Sequence, residues 1–403
     1  MFKLFVMGIS TPFLSQQQTK ILSGCDLIIC SQRFRELINH LPADIKNIAP
    51  LQDALRAAHK GLTEGNVAIL AGGDPLFYGI GKIILRKFSH DQVEIFPAIS
   101  SVQLAGSRLQ IPWDDAIITS LHGRNSTHIP GQILTNHNNI IFTDGHNSPD
   151  KIAHQILDYL KLIGEDILTD SIEVHVASDL GLAREHIFKG DLHEATKTDF
   201  SALNIMWLLV PQRPDIPTHI FGLTEEEISH SRGLITKNEV RAATIHALQL
   251  KNDGILWDIG AGSGSVSVEC ARTNPQTTIY AIEHKEEGFK NITTNIKRFG
   301  CYNIVPVFGR APEAVRNLPD PDSVFIGGSG GSLAKIIALV RTRLKAKGKL
   351  VINGVTAKTV EAAPSLMREN DFHVQSSVIS VTRTDEDNKR TTFNSITIIT
   401  GRL

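Results

Sequence analysis

The sequence of 403 residues predicts an α/β protein built from two successive α/β domains. Its length suits two to three domains of about 150 residues each. Strand-like apolar segments alternate with helix-like segments along both halves, which is typical of mostly parallel sheets with crossover helices. The segment Pro211–Pro217 contains three prolines in seven residues, and neither a helix nor a strand accommodates that many. We therefore place a linker near residues 211–222, between domains at residues 1–212 and 222–403.

Short runs of aliphatic and β-branched residues, bounded by turn residues, mark the individual strands. In the first half the predicted strands are Leu4–Met7, Leu27–Cys30, Asn66–Leu70, Val93–Phe96, Ile140–Thr143, Ile172–Val176 and Leu203–Val210. In the second half they are Gly254–Ile259, Thr278–Ile282, Ile304–Phe308, Ser323–Ile326 and Lys349–Val355. Two later segments, Phe372–Arg383 and Thr391–Thr400, flank the charged turn Asp385–Asn388 and predict an antiparallel hairpin that closes the second sheet.

Composition and charge argue against several classes of protein. Hydrophobic residues make up 41% and charged residues 21%, which is typical of globular domains and excludes wholesale disorder. The formal net charge of −1 predicts no general attraction to nucleic acid or to anionic membranes. The four cysteines form no C-x-x-C pair and no cluster with zinc spacing, so we expect reduced thiols and no metal site. Apolar runs are too short for a signal peptide or a membrane span, which predicts a soluble cytoplasmic protein.

The most informative motif is a glycine-rich turn that follows a predicted strand and opens a helix. Gly260, Gly262 and Gly264 let the backbone approach a ligand closely, and the helix N-terminus offers free N–H groups. Glu283 follows about 20 residues later, at the end of the next strand, where an acid can bind ribose hydroxyls. Asp258 just before the turn suits a positively charged ligand, and the third glycine comes one residue early for a dinucleotide fingerprint. The pattern favours S-adenosylmethionine; a dinucleotide and a purely structural turn remain alternatives.

Two later loops fall at the same predicted sheet edge. Gly309 and Ala311 follow the third strand, and residues this small would let a flat adenine lie against the backbone. The fourth strand leads into Gly327–Gly331, which has four glycines in five residues. Backbone N–H groups in such a loop could face an anionic, bulky substrate, although a flexible surface loop is the simpler alternative. We assign the reacting side of the site to Gly327, Gly328, Ser329 and Gly330.

The second half resembles the C15-methylating, decarboxylating enzymes of cobalamin (corrin) biosynthesis. The resemblance rests on Leu234–Ala242, the loop at residues 257–265, Gly309–Glu313 and Phe325–Gly331. It implies a Rossmann-like class I methyltransferase sheet, S-adenosylmethionine as cofactor and a precorrin-type tetrapyrrole as substrate. Because such a substrate carries many carboxylates, basic side chains are expected near the cleft, and the candidates are Lys237, Arg241 and Arg310.

Three segments of the first half are individually weak but form a set. A Gly73-Asp74-Pro75 turn follows a strand, Ser100-Ser101 follows the next one, and His122-Gly123-Arg124 comes later. Alone, the turn and the histidine are most often structural. Together they are similar to the tetrapyrrole methylase family, whose two α/β subdomains bind S-adenosylmethionine in the cleft between them. The resemblance implies that the cofactor binds to Gly73, Asp74, Tyr78, Ser100 and Ser101. It also implies that the substrate binds to His122 and Arg124.

The first strand departs from that family. A Gly-Pro-Gly-like turn usually follows it, whereas this chain reads Gly8-Ile9-Ser10-Thr11-Pro12-Phe13. The order of the two halves resembles that of the bifunctional methyltransferases that methylate a precorrin at C5 and C15 and decarboxylate it. The altered loop leaves the alternative that only the C-terminal half is catalytic and the N-terminal half is a binding or oligomerisation module. The resemblance also implies a homo-oligomer; a nucleic-acid methyltransferase and a dinucleotide oxidoreductase are the competing predictions.

Overall fold

The structure is a computed structural model that describes residues 2–122, 128–212 and 219–403. The described chain divides into two compact units. The first unit contains residues 2–122, 138–151 and 173–209. The second contains residues 128–137, 152–172, 210–212 and 219–403. Two helical segments that precede the proline-rich segment therefore cluster with the second unit.

The first unit opens with a five-stranded, fully parallel sheet in the order β3-β2-β4-β1-β5. Apolar side chains of its central strands are buried on both faces, which explains their continuous hydrophobic runs. The four predicted strands of this sheet are confirmed, and a short exposed edge strand, β3, adds to them. The strands are β1 (Leu4–Ile9), β2 (Leu27–Cys30), β3 (Asp44–Asn47), β4 (Val67–Gly72) and β5 (Val93–Phe96).

The second sheet of the first unit is mixed, in the order β6-β7-β10-β8-β9. Only β6 and β7 pair in parallel; β10 lies antiparallel to both β7 and β8, and β9 pairs antiparallel with β8. The prediction of a mostly parallel sheet is wrong here, because the apolar run of β10 is compatible with either direction and β10 lies antiparallel to both of its neighbours. The edge strands β6 and β9 are short and partly exposed, and they are absent from the predicted set. The strands are β6 (Ile117–Ser120), β7 (Asn138–Phe142), β8 (Glu173–Ser178), β9 (His186–Gly190) and β10 (Asn204–Leu209).

The second unit is organised around a seven-stranded sheet in the order β13-β12-β11-β14-β15-β19-β16. Its first five strands are parallel and confirm the predicted set: β11 (Ile255–Ile259), β12 (Thr278–Glu283), β13 (Ile304–Phe308), β14 (Ser323–Ile326) and β15 (Lys349–Gly354). The predicted terminal hairpin is also confirmed, since β19 (Ile396–Arg402) lies antiparallel between β15 and β16 (His373–Ile379). Around the charged turn, β17 (Thr382–Thr384) and β18 (Arg390–Thr392) form a separate ladder.

Helices pack on the sheets and connect successive parallel strands. The carboxyl ends of the parallel strands therefore lie at the same edge of each sheet. The capping box of Ser15 begins the first helix, and a capping box of Ser100 begins the fifth. None of the helices in the described ranges has the length and apolar character that crossing a bilayer requires. They are α1 (Gln16–Ser23), α2 (Arg35–Ile38), α3 (Leu51–Gly61), α4 (Gly81–Lys87), α5 (Ser101–Leu109), α6 (Ile129–Leu134), α7 (Pro149–Ile163), α8 (Asp166–Thr169), α9 (Leu192–Ala195), α10 (Asn238–Leu248), α11 (Ser265–Thr273), α12 (Glu286–Phe299), α13 (Leu333–Arg343) and α14 (Ala357–Glu369).

Candidate active site

Three of the predicted loops meet at the carboxyl edge of the parallel strands in the second unit. They follow β11 and β14, which are neighbours inside the sheet, and β13, which is its edge strand. This is the edge where open α/β sheets bind their ligands. The loops line a narrow cleft formed by Ile259, Gly260, Ile282, His284, Gly309, Arg310, Ala311, Gly328, Ser329, Gly330 and Ile336.

Gly260 places the first loop in direct backbone contact with the fourth. Its φ is +72°, which a residue with a side chain rarely adopts. A Cβ atom there would lie 2.7 Å from the nitrogen and 2.8 Å from the Cα of Gly328. The Gly327 N–H donates to the Ile259 carbonyl at 2.9 Å. The glycine-rich turn and the Gly327–Gly330 loop are therefore held together without intervening side chains.

The carboxylate of Glu283 is fixed beside the glycine-rich turn. The residue is buried at the end of β12, and its Oε2 accepts the Gly262 N–H at 2.9 Å. Its Oε1 accepts the backbone N–H groups of His284 and Lys285, both at 2.8 Å. The His284 Nδ1 also lies 3.1 Å from Oε1, so the second acceptor position of Oε2 is the one that faces no described donor and can accept a ligand hydroxyl. Glu283 therefore fixes the glycine-rich turn, and its binding of ribose stays a prediction.

Asp258 lies beneath the cleft rather than in it. The side chain is fully buried, and its Oδ2 accepts the Ser267 hydroxyl at 2.6 Å. Its Oδ1 has no hydrogen-bond partner among the described residues. Burial raises the pKa of Asp258 to about 7, and the bond from Ser267 opposes this only in part. Because Ser267 belongs to α11, the Asp258 carboxyl group joins the end of β11 to that helix.

Asn295 supports the same loop from α12, and the sequence reasoning missed it. The residue is fully buried. Its Nδ2 donates to the carbonyls of Ser263 and Ser229, both at 2.9 Å, and its Oδ1 accepts the Ser229 N–H at 2.9 Å. Asn295 therefore joins the glycine-rich turn to the segment that precedes α10. An amide within the apolar stripe Ile292–Phe299 was the available signal, since a buried amide needs partners.

The first unit brings its predicted loops together in a similar way. A Cβ atom at Gly8, in β1, would lie 2.7 Å from the Ala98 nitrogen and would overlap the Gly73 carbonyl. The Asp74 Oδ1 accepts the Leu76 N–H at 2.8 Å, which closes the turn. Ser100 caps α5, so Ser100 and Ser101 stand at the start of that helix. The ends of β1, β4 and β5 thus form one continuous edge.

Tyr78 connects this edge with the second sheet of the same unit. Its hydroxyl donates to the Ile118 carbonyl on β6 at 3.0 Å, and its ring lies 5.1 Å from that of Phe142. His122 follows β6, is exposed, and has its Nδ1 3.3 Å from the Thr143 carbonyl. Arg124 lies outside the described residues. The structure therefore connects Tyr78 to the strand that leads to His122, as a cleft between two sheets requires.

Comparison with known proteins covers both halves of the chain. The family model of the tetrapyrrole (corrin/porphyrin) methylases matches residues 11–196, and that of the precorrin methyltransferase domain matches residues 227–399. The precorrin-6Y C(5,15)-methyltransferase [decarboxylating] of a Sinorhizobium species is 32% identical over 302 residues, which are 72% of this chain and 68% of that protein. The chain belongs to the precorrin-6Y C(5,15)-methyltransferase family.

Other relatives carry the same family name. The precorrin-6Y C(5,15)-methyltransferase [decarboxylating] of Mycobacterium tuberculosis (strain CDC 1551 / Oshkosh) is 31% identical over 73% of this chain and 71% of that protein. A crystal structure of a precorrin-6Y C5,15-methyltransferase from Geobacter metallireducens is 39% identical, covers 46% of this chain and all (100%) of that chain, and has a TM-score of 0.45. The family resemblance inferred from the sequence is thereby confirmed by the curated relatives, and the chain is a methyltransferase.

Of the three basic residues proposed for substrate in the second unit, all of them described by the structure, only Arg310 lies at the cleft. Its guanidinium lies beside Gly330. Lys237 instead forms an ion pair with Glu225 at 2.5 Å. Arg241 is only 2% exposed and pairs with the 1% exposed Glu269 at 3.5 Å. The Arg241 guanidinium also donates to the carbonyls of Thr236 and Leu223, so in this structure it has a packing role away from the cleft.

A larger cavity lies elsewhere in the second unit and contains none of the predicted site residues. Its volume is about 470 Å³. Size alone does not make it the active site, because it has no glycine-rich loop and does not lie at the carboxyl edge of a parallel sheet. Its walls are Leu134, Thr135, Asn136, His137, Leu168, Val210, Pro211, Gln212, Gly300 and Tyr302.

Proposed function

We propose that this chain methylates a precorrin macrocycle at C5 and C15 with S-adenosylmethionine, and decarboxylates the C12 acetate, in cobalamin biosynthesis. Residues 1–212 carry out the C5 methylation, and residues 222–403 the C15 methylation and the decarboxylation. The observation that carries the proposal is the convergence of the loops at Gly260, Gly309–Ala311 and Gly327–Gly330 on one cleft. The matches of both halves to methyltransferase family models support it.

The residues of the second cleft suit S-adenosylmethionine. No atom lies within 4 Å of the position that a Cβ would take at Gly262, so the turn leaves open space for a ligand. Glu283 offers an acceptor to ribose hydroxyls, and Gly309 with Ala311 offers a flat surface to adenine. S-adenosylmethionine supplies a methyl group already activated on a sulfonium. We expect Glu283 and the turn to hold its adenosine part.

The transfer needs alignment more than chemical catalysis by side chains. An activated methyl group moves by direct displacement, so the protein must orient the accepting carbon and exclude water. No protein nucleophile is required, and the four buried thiols are poor candidates. Burial raises the pKa of Cys25 and of Cys301 to about 12, so these thiols stay protonated.

In the second unit, the substrate is expected to face the Gly327–Gly330 loop. Backbone N–H groups of this loop and the Arg310 guanidinium can bind substrate carboxylates. Loss of carbon dioxide from the C12 acetate leaves an electron pair that conjugation can deliver to C15. C15 would then accept the methyl group, with release of a neutral thioether from the methyl donor. Placing both events in one cleft couples decarboxylation to methylation.

The test is mass spectrometry of precorrin-6B after incubation with the purified chain and S-adenosylmethionine. A gain of two methyl groups with loss of one carbon dioxide is the expected result. One methyl group with loss of carbon dioxide would show that only the C-terminal half is catalytic. No change in mass would refute the assignment to this metal-free macrocycle, and the same assay with the cobalt-containing macrocycle would follow.

A further inference from the structure

The carboxyl edge of the parallel sheet in the first unit exposes several large apolar side chains. Phe13 follows β1 and is 76% exposed; Leu76 and Tyr78 follow β4, and Ile99 follows β5, and each of these three is more than half exposed. We call these four residues the apolar rim. Exposed apolar groups gathered at one edge mark a binding surface. Their position beside the Gly73–Asp74 turn places that surface next to the proposed cofactor loops.

One cation stands beside this rim. Arg33 follows β2, the neighbour of β4 in the sheet, in a short 3-10 helix at Gln32–Phe34. Its guanidinium lies directly over Gly72, where a Cβ atom would overlap Nη2 and lie 3.1 Å from Cζ. The Cζ atom also lies 4.5 Å from the centre of the Phe34 ring. The missing side chain of Gly72 therefore makes room for the guanidinium.

The charge of Arg33 is not neutralised within the protein. In the ranges that the structure describes, no carboxylate lies within salt-bridge distance of it, whereas Arg108 pairs with Glu185 and Arg184 with Asp179. Packing lowers the pKa of Arg33 through desolvation, but a guanidinium remains protonated at neutral pH. The residue is exposed overall, so a ligand can reach the charge.

We propose that Arg33 binds a carboxylate of the macrocyclic substrate in the first unit. A macrocycle with apolar ring faces and peripheral carboxylates matches an apolar rim with an unpaired guanidinium beside it. This inference rests on the proposed function and adds a substrate-binding residue to it. The methionine carboxylate of the cofactor has the same chemistry, so the experiment must separate the two sources.

The experiment compares four variants of the full chain: Arg33→Met, Arg33→Lys, Gly72→Ala and, as a matched control, Arg86→Met. Arg86 is an exposed arginine on α4 of the same unit. Steady-state C5 methylation of precorrin-6B gives kcat and KM, and calorimetry gives the S-adenosylmethionine affinity. Loss of a charged hydrogen bond should raise the macrocycle KM about tenfold in Arg33→Met, with kcat within about twofold.

The other variants refine this expectation. Arg33→Lys should retain part of the affinity, since it keeps the charge but not the planar fork. Gly72→Ala should reproduce much of the Arg33→Met defect, because the new methyl group displaces the guanidinium. Arg86→Met should match the wild type. The cofactor affinity should be the same in all variants.

Two results would overturn the inference. An unchanged macrocycle KM in Arg33→Met would remove Arg33 from the substrate site. A weakened cofactor affinity with an unchanged macrocycle KM would assign the carboxylate to S-adenosylmethionine instead. Absence of C5 methylation by the wild type would contradict the proposed function and would leave the role of Arg33 to a binding measurement. Equilibrium dialysis of the macrocycle against wild type and Arg33→Met would then decide the role of Arg33 separately.

Discussion

Replacing Gly260 with alanine should separate the two loops that form the second cleft. The new Cβ would lie 2.7 Å from the Gly328 nitrogen and 2.8 Å from its Cα, whereas ordinary contacts begin at 3.4 Å. One loop must therefore move by at least about 0.6–0.7 Å, and by more to clear the Gly328 carbonyl oxygen, which the new Cβ would overlap. A displacement of about 1 Å can reduce a reaction rate about a hundredfold. Alanine at a left-handed φ of +72° adds about 1–2 kcal/mol of strain.

Gly164→Ala is the control for that strain. Gly164 has a φ of +66°, and the only atom near its Cβ position is the Lys297 Nζ at 3.8 Å. Gly164→Ala should lose about 1–2 kcal/mol of stability, seen as a melting temperature lower by roughly 2–8 °C, and Gly260→Ala should lose at least as much because of its additional clash. Only Gly260→Ala should lose C15 methylation, by about a hundredfold in kcat/KM. The measurements are a thermal melt and quantitative mass spectrometry of the methylated product.

Equal activities of the two variants would refute the reasoning. That result would mean that the contact between Gly260 and Gly328 does not set the geometry of the reaction. A Gly260→Ala protein with normal S-adenosylmethionine affinity but slow methylation would place the effect on the Gly327–Gly330 side. Weakened cofactor affinity would place it on the glycine-rich turn.

Three further predictions concern acidic and basic residues of the second unit. Glu283→Ala should weaken one of two S-adenosylmethionine sites by about tenfold, because the Gly262 N–H and a ribose hydroxyl lose their acceptor; calorimetry that finds both sites unchanged would contradict the assignment. In urea unfolding, the stability advantage of Asp258→Asn over the wild type should grow by about 3 kcal/mol as the pH rises from about 5 to about 8. The reason is that burial raises the pKa of Asp258 in the folded state from 3.8 to about 7. The wild-type carboxyl group therefore favours folding at low pH and loses that effect as the pH rises to about 7. A stability gain of Asp258→Asn that is independent of pH would refute this prediction. Arg241→Leu should cost about 3 kcal/mol, or roughly 6–12 °C in melting temperature, because Glu269 stays buried without its cation. Its macrocycle KM should not change, and a raised KM without a loss of stability would return Arg241 to the substrate.

The features predicted correctly from the sequence are those encoded locally. The strands β11 and β14 are mostly apolar and are each followed directly by a glycine, so both their existence and their loops can be predicted. The edge strands β6 and β9 lack such runs, and their pairing depends on partners distant in the chain. The direction of β10 cannot be predicted from its own residues, because an apolar run is compatible with parallel and antiparallel pairing.

The contrast between local features and contacts distant in the chain also explains which site residues could be predicted. Glu283 could be predicted because its spacing from the glycine-rich turn follows from the strand–helix–strand repeat. Arg241 could not, because only the folded chain shows that Glu269 and two carbonyls occupy its guanidinium. Asn295 and Arg33 were missed for a related reason. Their roles depend on Ser263 and Gly72, which lie far from them in the sequence.

The altered first loop of the N-terminal half is best understood from the contact that it keeps. Gly8 packs on the backbone at Gly73 and Ala98, as Gly260 packs on Gly328 in the second unit, and a side chain at either position would separate neighbouring loops. This close approach does not depend on the missing Gly-Pro-Gly turn. The residues that replace the turn end in Phe13, which belongs to the apolar rim. The departure therefore preserves the contact between the loops and changes the side chains exposed at this edge, as the proposed C5 methylation by the first half requires.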